Sequence, residues 1–294
     1  MTKHKSVLLQ ESVSALKVKP EGKYIDCNIG GGGHTSEILK RGGYVLGIDL
    51  DETAIDYCRK VFSQEINDKK LFLDKTNFKY IEEAAERVGW GKEEVDGIIY
   101  DLGLSMFQLK DENKGFSFLD DAELDMRFDD DLNVKAQDLI KVLNEKQLED
   151  LILEFGEEPQ AKAFAHAIKQ YSVGKDRIIA SELAEVIKRT SKYKDSRIHP
   201  ATRVFQALRI AVNSELENLT ASVGRATPLL KPEGRLAIIS FHSLEDKIAK
   251  KLAESPELKK VNKKPIVASE EEINENPSSR SAKLRIYEKM HKLL

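Results

Sequence analysis

Short apolar runs alternate with helix-like segments over the first hundred residues of the chain. The apolar runs are typical of buried strands and occupy residues 24–29, 44–49, 71–73 and 95–101. The segments between them space their apolar residues as a helix does, and cover residues 34–41, 52–62 and 77–88. This alternation predicts an α/β fold, with a doubly wound parallel sheet covered by helices on both faces.

The pattern changes between residues 105 and 197, where strand-like alternation gives way to helical spacing. A strand pattern returns at residues 234–241, after a turn formed by Lys231-Pro232-Glu233-Gly234. We therefore predict that an all-helical domain of residues 106–199 is inserted into an α/β domain made of residues 1–105 and 200–294. Residues 255–279 carry charges and prolines and are predicted to form a surface loop.

The composition is that of a soluble globular protein, with 40% hydrophobic and 33% charged residues. No run approaches the ~18 apolar residues of a membrane span, and the first residues lack the apolar core of a signal peptide. Two cysteines, Cys27 and Cys58, leave little material for a disulfide scaffold or a zinc cluster. We therefore expect a cytoplasmic protein that contacts no membrane and has no metal site, whereas its oligomeric state stays open.

The net charge of −3, taken alone, argues against a nucleic-acid partner. The charges are, however, unevenly distributed along the chain. Residues 107–160 contain 16 acidic and 6 basic residues. Residues 192–209 contain 5 basic residues and 1 acidic residue, and residues 276–294 repeat those counts. The average therefore hides one acidic block and two basic stretches, a distribution that permits RNA binding without demonstrating it.

Four consecutive glycines, Gly30 to Gly33, follow the first predicted strand. Such a turn lets the backbone approach a ligand closely, and the helix N-terminus beyond it favours negative charge. Asp49 ends the next strand, 19 residues after Gly30, where a carboxylate can accept hydrogen bonds from both ribose hydroxyls of a nucleoside. The dinucleotide pattern GxGxxG fails, since its third glycine would fall on Thr35. A nucleoside site other than a nicotinamide site is predicted; a tight turn with a helix-capping acid is the alternative.

Asp101 ends the fourth predicted strand and therefore faces the crevice where sheets of this kind bind ligands. A carboxylate there can accept a hydrogen bond from an adenine amino group, from an amine of the cofactor or from an amine of the substrate. The alternative role is to cap the next turn.

Six segments of the chain, taken together, resemble one family of enzymes. They are His4-Lys5-Ser6-Val7-Leu8-Leu9, DCNIGGGGH (residues 26–34), GFSFLDDAELDMR (115–127), HPATRVFQALRIAVNSE (199–215), SFHSLED (240–246), and Asn276-Pro277 with RSAKLR (280–285). They follow one another in order over nearly the whole chain. On these segments the chain resembles the MraW family, S-adenosylmethionine-dependent methyltransferases that modify N4 of a cytidine in the RNA of the small ribosomal subunit.

The resemblance implies a class I (Rossmann-like) methyltransferase sheet with an inserted helical domain that helps to recognise RNA. It implies S-adenosylmethionine as cofactor, bound by Gly32, Gly33, His34, Asp49, Phe78, Asp101 and Gln108, with Asp49 on the ribose and Phe78 near the adenine. One departure is visible. The family usually has Ser-Ser-x-Gln-Leu after the Asp-Leu-Gly turn, whereas Met106 replaces the second serine here.

The implied reaction methylates cytidine N4 in 16S rRNA, in the decoding region of the small ribosomal subunit. The N4 amine is a poor nucleophile because its lone pair is delocalised into the ring. A carboxylate that accepts an N4 hydrogen bond stabilises the charge that develops during transfer, and Asp101 is the candidate. Familiar amino-methyltransferases have an Asp/Asn/Ser-Pro-Pro turn after this strand, whereas in this chain Leu102-Gly103-Leu104 follows Asp101. The carbonyl geometry of that turn is therefore not carried over.

Candidate RNA contacts fall in three places. The first basic stretch contributes Arg197, His199 and Arg203, and the second contributes Arg280, Lys283 and Arg285. The third place directly follows the last predicted strand and contributes His242. Cations there would neutralise phosphates, and the target base has to be unpaired or flipped out to reach the pocket. For His242 a structural alternative exists, since Ser243-x-x-Asp246 fits a capping box that opens a helix.

Three other functions compete with this interpretation. One is a class I methyltransferase that acts on another RNA base, and a second is an RNA-binding assembly factor without catalytic activity. The intact glycine loop and Asp49 argue against the second. The third is a nicotinamide-dependent dehydrogenase, which the failed glycine pattern disfavours.

Overall fold

The computed structural model describes residues 6–105, 107–108, 111, 113–192 and 198–291. The chain divides into two compact units. The sheet unit comprises Met1–Met106 and Leu216–Leu294, and the helical unit comprises Phe107–Glu215. Every helix in the described ranges is too short or too polar to cross a lipid bilayer.

In its described residues, the sheet unit has seven strands in the order β3-β2-β1-β4-β5-β7-β6. Their bounds are β1 Lys23–Asp26, β2 Tyr44–Asp49, β3 Leu71–Lys75, β4 Val95–Asp101, β5 Leu230–Ser240, β6 Leu258–Lys260 and β7 Lys283–Lys289. The first five strands pair in parallel, while β7 is antiparallel to both β5 and β6. The order reverses between β1 and β4, which creates a crevice at the carboxyl ends of these strands.

Helices cover both faces of this sheet, as the alternation of apolar runs predicts. They are α1 Leu9–Ala15, α2 Gly33–Lys40, α3 Glu52–Val61, α4 Ser63–Asn67, α5 Ile81–Arg87, α11 Glu215–Leu229, α12 Ser243–Lys251 and α13 Glu270–Glu275. Neighbouring strand residues point to opposite faces. Thus Ile25 joins a core cluster with α5 and α11, whereas Tyr24 joins a second cluster with α1, α2 and α3. The predicted α/β fold is confirmed.

Two predicted elements of the sheet unit differ from the structure. The strand expected at residues 234–241 begins at Leu230, and its pairing shifts between Val95 and Gly97, where Glu233 adopts a left-handed φ of 66°. The loop predicted over residues 255–279 is wrong, since it contains β6 and α13. Apolar residues of this segment, including Ile266 and Ile273, pack against the sheet and bring it into the core.

The helical unit contains α6 Ala136–Val142, α7 Glu145–Gly156, α8 Ala161–Ser172, α9 Ala180–Thr190 and α10 Ala201–Asn213. Among its described residues, strand pairing is limited to an isolated bridge between Glu123 and Ile179. The unit ends at Glu215, beyond the boundary expected after residue 199. The reason is that α10 packs closely on α7: a Cβ at Gly156 would lie 2.6 Å from the carbonyl oxygen of Arg203.

Candidate active site

Three acidic side chains lie side by side at the carboxyl edge of the sheet. Asp49 ends β2, Asp26 ends β1 and Asp101 ends β4, and these strands are neighbours in the sheet. Asp26 and Asp49 are buried, while the side chain of Asp101 is 21% exposed. Parallel strands carry their ligand sites at this edge, so the three carboxyl groups mark the site.

The glycine loop between β1 and α2 closes the site from one side. Gly30 and Gly32 have left-handed φ values of 49° and 73°, a conformation that glycine adopts without strain. A Cβ at Gly32 would collide with the ring of Phe62, and a Cβ at Gly33 would collide with Ser6. A Cβ at Gly31, by contrast, would meet open space. The loop is therefore packed tightly against the protein on one side and accessible to a ligand on the other.

Asp49 is fixed in place by backbone donors. Its Oδ2 accepts a hydrogen bond from the N–H of Gly30 at 2.9 Å, and its Oδ1 accepts one from the N–H of Asp51 at 3.0 Å. Burial raises the pKa of Asp49 to about 6, although these two hydrogen bonds act in the opposite direction. Each carboxylate oxygen has a second lone pair, so the same side chain is able to accept hydrogen bonds from two ribose hydroxyls.

Four buried polar atoms around the loop lack a hydrogen-bond partner within the part of the chain that the structure describes. They are Oδ1 of Asp26, Oδ1 of Asn28, Nε2 of His34 and Oδ1 of Asp101. Buried polar groups are normally hydrogen-bonded, and several together at one edge indicate that a polar ligand completes the site. Three acceptors and one imidazole nitrogen suit a ligand that carries ammonium, amide-like or amino hydrogens, as S-adenosylmethionine does.

The charge state of this cluster follows from burial. Burial raises the pKa of Asp26 to about 6. Burial, together with the nearby charge of Asp26, raises the pKa of Asp101 to about 7. His34 lies with its Nδ1 3.7 Å from Oδ2 of Asp101, and burial lowers the pKa of His34 to about 4. A neutral imidazole therefore stands beside carboxyl groups that ionise near neutral pH, and a cationic ligand would favour their ionised form.

Phe78, which is predicted to lie near the adenine, follows β3 in the chain. It begins a 3-10 turn, Phe78–Tyr80, and its ring meets the ring of Tyr100 edge to face at a centroid distance of 5.8 Å. The hydroxyl of Ser222 donates to the carbonyl of Phe78 at 2.7 Å, which leaves the hydroxyl of Tyr100 to donate to Ser222 at 2.6 Å. This buried chain of hydrogen bonds holds the backbone of Phe78 against β4 and α11.

The segment after β5 is organised by Glu245. His242 is the N-cap residue of α12: its Nδ1 accepts from the N–H of Glu245 at 3.4 Å, and its Nε2 lies 3.0 Å from Oε1 of Glu245. The capping box predicted from Ser243 and Asp246 is therefore displaced by one residue, to His242 and Glu245. Phe241 packs against Gly103. The imidazole of His242, 9% exposed, is thus engaged through Nδ1 within its own turn, whereas its buried Nε2 makes no hydrogen bond among the described residues.

The basic residues of the tail have different environments. Arg280 is exposed at the end of a 3-10 turn. Arg285 lies in β7 with its guanidinium on both oxygens of Asp246, at 2.7 and 3.1 Å. Lys283 reaches the same carboxylate at 3.5 Å. The structure thus separates an exposed Arg280 from a buried Arg285 that joins β7 to α12.

In the helical unit, His199 and Arg203 are close neighbours at the beginning of α10, whereas Arg197 lies outside the described residues. Gln108 belongs to a short helical segment of the same unit. Its predicted contact with the cofactor stays a prediction.

Sequence reasoning did not select Asp26 and Asn28, although both present unpartnered acceptors at the site. The predicted bounds hid the signal: the first strand was expected over residues 24–29, with Asp26 inside it, whereas the structure ends β1 at Asp26. Asp26 stands inside the glycine motif of residues 26–34, in which only Gly32, Gly33 and His34 were assigned a role.

Comparison with known proteins identifies the family. The model of the MraW methylase family matches residues 1–290. Among solved structures, an rRNA methylase from Streptococcus thermophilus is 11% identical with a TM-score of 0.46 and covers 99% of each chain. A 1,6-didemethyltoxoflavin-N1-methyltransferase from Burkholderia thailandensis with bound S-adenosylhomocysteine is 10% identical, with a TM-score of 0.44, and the match covers 97% of this chain and 80% of that one.

The family match extends over the glycine loop, the three strand-end acids and the helical unit, and it accounts for the order of all six sequence segments. The buried acceptors fit S-adenosylmethionine, the methyl donor of this family, and the sheet is that of a class I methyltransferase. The chain belongs to the MraW methylase family.

Proposed function

We propose that this S-adenosylmethionine-dependent methyltransferase methylates N4 of a cytidine in the 16S rRNA of the small ribosomal subunit. The observation that carries the proposal is Asp101. This carboxyl group stands at the carboxyl edge of the sheet, beside the glycine loop, with a buried oxygen that has no partner among the described residues. An acceptor in that position suits a substrate whose reacting atom is an N–H group.

Bound S-adenosylmethionine supplies a methyl group that its sulfonium already activates. What the protein has to add is orientation of the amine and stabilisation of the charge that develops on it. An ionised Asp101 that accepts one N4 hydrogen draws the nitrogen away from planarity and stabilises the growing positive charge. Since the pKa of Asp101 is about 7, a substantial fraction of this group is ionised at neutral pH.

The other residues of the site take roles in binding the cofactor. Asp49 receives the ribose hydroxyls, and the ring of Phe78 packs near the adenine. Gly32 and Gly33 allow the cofactor to lie against the backbone, while the unpartnered His34 Nε2 and Asp26 Oδ1 face its polar end. Gln108 completes the pocket, as the family resemblance implies.

Contacts with RNA phosphates are assigned to exposed cations. Arg203, Lys283 and Arg280 have partly or fully exposed side chains, and Arg197 lies near Arg203 in the sequence. His199 takes part as a neutral hydrogen-bond donor, because burial lowers its pKa. For Arg285 and His242 we propose a supporting role, because Asp246 holds the guanidinium of Arg285 and the Nδ1 of His242 caps α12. Modification of the small subunit would then take place in the cytoplasm, where the subunit is assembled.

The experiment that tests the proposal is nucleoside mass spectrometry of small-subunit rRNA from cells with and without this protein. We expect N4-methylcytidine to disappear from 16S rRNA and to return when the protein is supplied again. An unchanged level contradicts the proposal. Loss of a different methylated base supports a class I enzyme with another target, and failure of the purified protein to bind S-adenosylmethionine supports an assembly factor.

Replacement of the proposed acceptor tests the catalytic step. In Asp101→Asn the shape is kept and the charge is lost, so we expect kcat on small subunits to fall about 100-fold, the loss typical for one preorganised electrostatic group. The matched control is Asp56→Asn on the exposed face of α3, where the side chain is 53% exposed and kcat should not change. Equal activity of both variants would exclude Asp101 as the acceptor.

A further inference from the structure

The helical unit contains a cavity of about 270 Å³ that the methyl-transfer site does not use. It lies between the turn that joins α7 to α8, the end of α9 and the beginning of α10. Phe164, Pro159 and Pro200 give it apolar walls, whereas Glu158, His199 and Arg203 place polar groups in it. Ligand sites commonly combine apolar walls with a few fixed polar groups, and this volume is below that of pockets for drug-sized ligands. The cavity therefore suits a single small ring system.

A buried carboxylate is the main polar feature of the cavity. Glu158 is only 6% exposed. Its Oε1 accepts from the N–H of Gln160 at 2.9 Å, and its Oε2 lies 3.7 Å from the guanidinium of Arg203. An ionised carboxylate has about four lone-pair positions, so these two contacts leave it able to accept further hydrogen bonds. A ligand that brings N–H donors would stabilise a charge whose burial is otherwise costly.

His199 supplies a fixed planar donor at the rim. Its ring stacks on Phe118 with a centroid distance of 4.4 Å and an interplanar angle of 9°. Burial, followed by the charge of Lys188, lowers the pKa of His199, which keeps the ring neutral. Because Nδ1 accepts the N–H of Ala201 at 3.2 Å, the proton of the neutral ring is on Nε2. His199 thus contributes one N–H donor and an aromatic ring to the lining of the cavity, which also contains the acceptor Glu158.

Arg203 connects the cavity with solvent. Its side chain is 45% exposed, and its Nη1 donates to the carbonyl of Glu157 at 3.1 Å. A guanidinium has five N–H donors, of which this contact uses one. Arg203 also belongs to the basic stretch of residues 192–209. A ligand whose ring occupies the cavity is therefore expected to place an anionic group at its mouth, next to Arg203.

We propose that this cavity binds one unpaired nucleotide of the RNA, with a base that carries an exocyclic amino group. The amino group donates to Glu158, Nε2–H of His199 donates to a ring acceptor, and the phosphate lies on Arg203. Cytosine, adenine and guanine meet this requirement; uracil does not, because it would turn a carbonyl oxygen toward the carboxylate. Unpaired bases are read in this way, by stacking and by hydrogen bonds to their edges. The proposal rests on an RNA substrate and gives the helical unit a base-recognition site.

The test is titration of the full-length protein with CMP, AMP, GMP and UMP, followed by NMR or calorimetry. We expect dissociation constants of about 1 mM for the three amino-bearing nucleotides and about tenfold weaker binding of UMP. Glu158→Gln should weaken CMP about tenfold and remove its advantage over UMP. Glu149→Gln, which makes the same change on α7 rather than in the turn that follows it, should bind all four nucleotides as the wild type does. Thermal unfolding of each variant verifies that the fold is intact.

Equal binding of UMP and CMP by the wild type, or no binding of any nucleotide at about 10 mM, would overturn the proposal. So would an unchanged CMP preference in Glu158→Gln. On small subunits, Glu158→Gln should raise KM while kcat and the affinity for S-adenosylmethionine stay constant. The two proposals fail separately: a wild-type protein that prefers CMP to UMP but leaves cytidine N4 unmethylated contradicts the proposed reaction and retains the nucleotide site.

Discussion

At the scale of single residues, the candidate active site contains acids whose carboxyl groups are largely withdrawn from water. Asp26 and Asp101 are stabilised by neutral donors, such as the hydroxyl of Thr35 and the N–H of Gly103, which only partly offset the loss of hydration. Their pKa values of about 6 and about 7 therefore lie well above that of an exposed aspartate. Protons and a cationic ligand therefore compete for these carboxylates.

This competition predicts how cofactor affinity depends on pH. S-adenosylmethionine carries a sulfonium charge, so its binding favours ionised Asp26 and Asp101 and lowers their pKa values. Affinity should therefore rise as pH increases from about 5 to about 8 and then level off, following the pKa values of about 6 and about 7. S-adenosylhomocysteine, which has no sulfonium charge, should show a weaker rise. Calorimetric titrations across this range measure both curves, and an affinity that falls with increasing pH would contradict the prediction.

The free energy of unfolding of the ligand-free protein should decrease as pH rises, whereas the cofactor affinity increases. A folded-state pKa above the unfolded value means that the folded protein holds its proton more tightly. The stabilisation is complete below the unfolded pKa of about 4 and is lost as pH rises through about 7. The residues that suit a cationic ligand thus reduce the stability of the protein without it.

At the scale of elements, β7 is joined to α12 through Arg285 and Asp246. Burial opposes ionisation of Asp246, yet the hydrogen bonds and charge of Arg285 outweigh it and lower the pKa of Asp246. Both side chains are at most 15% exposed. A pair of this kind is costly to break from one side, because the remaining charge stays buried.

Arg285→Ala is therefore expected to lower the free energy of unfolding by about 3 kcal/mol. Arg280→Ala, a matched change of an exposed arginine five residues earlier, should leave stability within about 0.5 kcal/mol of the wild type. If Arg280 contacts a phosphate, its variant should instead reduce the salt dependence of small-subunit binding by about one ion. Chemical denaturation and binding at several salt concentrations separate the two effects. Similar stability of both variants would contradict the structural role of Arg285.

The same elements show what the sequence could and could not predict. β2 and β4 agree with their predicted bounds, because each is an apolar run that ends at an acid. β7 was missed because Lys283 and Arg285 make it resemble a basic tail, and the partner that neutralises them, Asp246, lies 39 residues before Arg285. Asp49 and Asp101 lie at the strand ends where the sequence placed them. The role of Glu245 and the cavity at Glu158 depend on side chains that meet only after folding.

At the scale of the whole molecule, the chain contains two units with separate cores. The helical unit is one continuous segment of about 110 residues, whereas the sheet unit is formed by two separate segments. Buried residues such as Leu148, Phe164, Ile168, Leu183 and Leu208 give the helical unit a core of its own. Its length is sufficient for independent folding of a single domain.

We therefore expect residues 107–215, produced alone, to be helical and to unfold in one cooperative transition. Since every residue that lines the 270 Å³ cavity belongs to this segment, the fragment should keep the preference for CMP over UMP. It should not bind S-adenosylmethionine, because the glycine loop and Asp49 are absent from it. Circular dichroism during denaturation, with calorimetry for both ligands, provides the measurement. A fragment that unfolds without cooperativity would show that the helical unit needs the sheet unit to fold, whereas a folded fragment without the CMP preference would place nucleotide recognition outside the cavity.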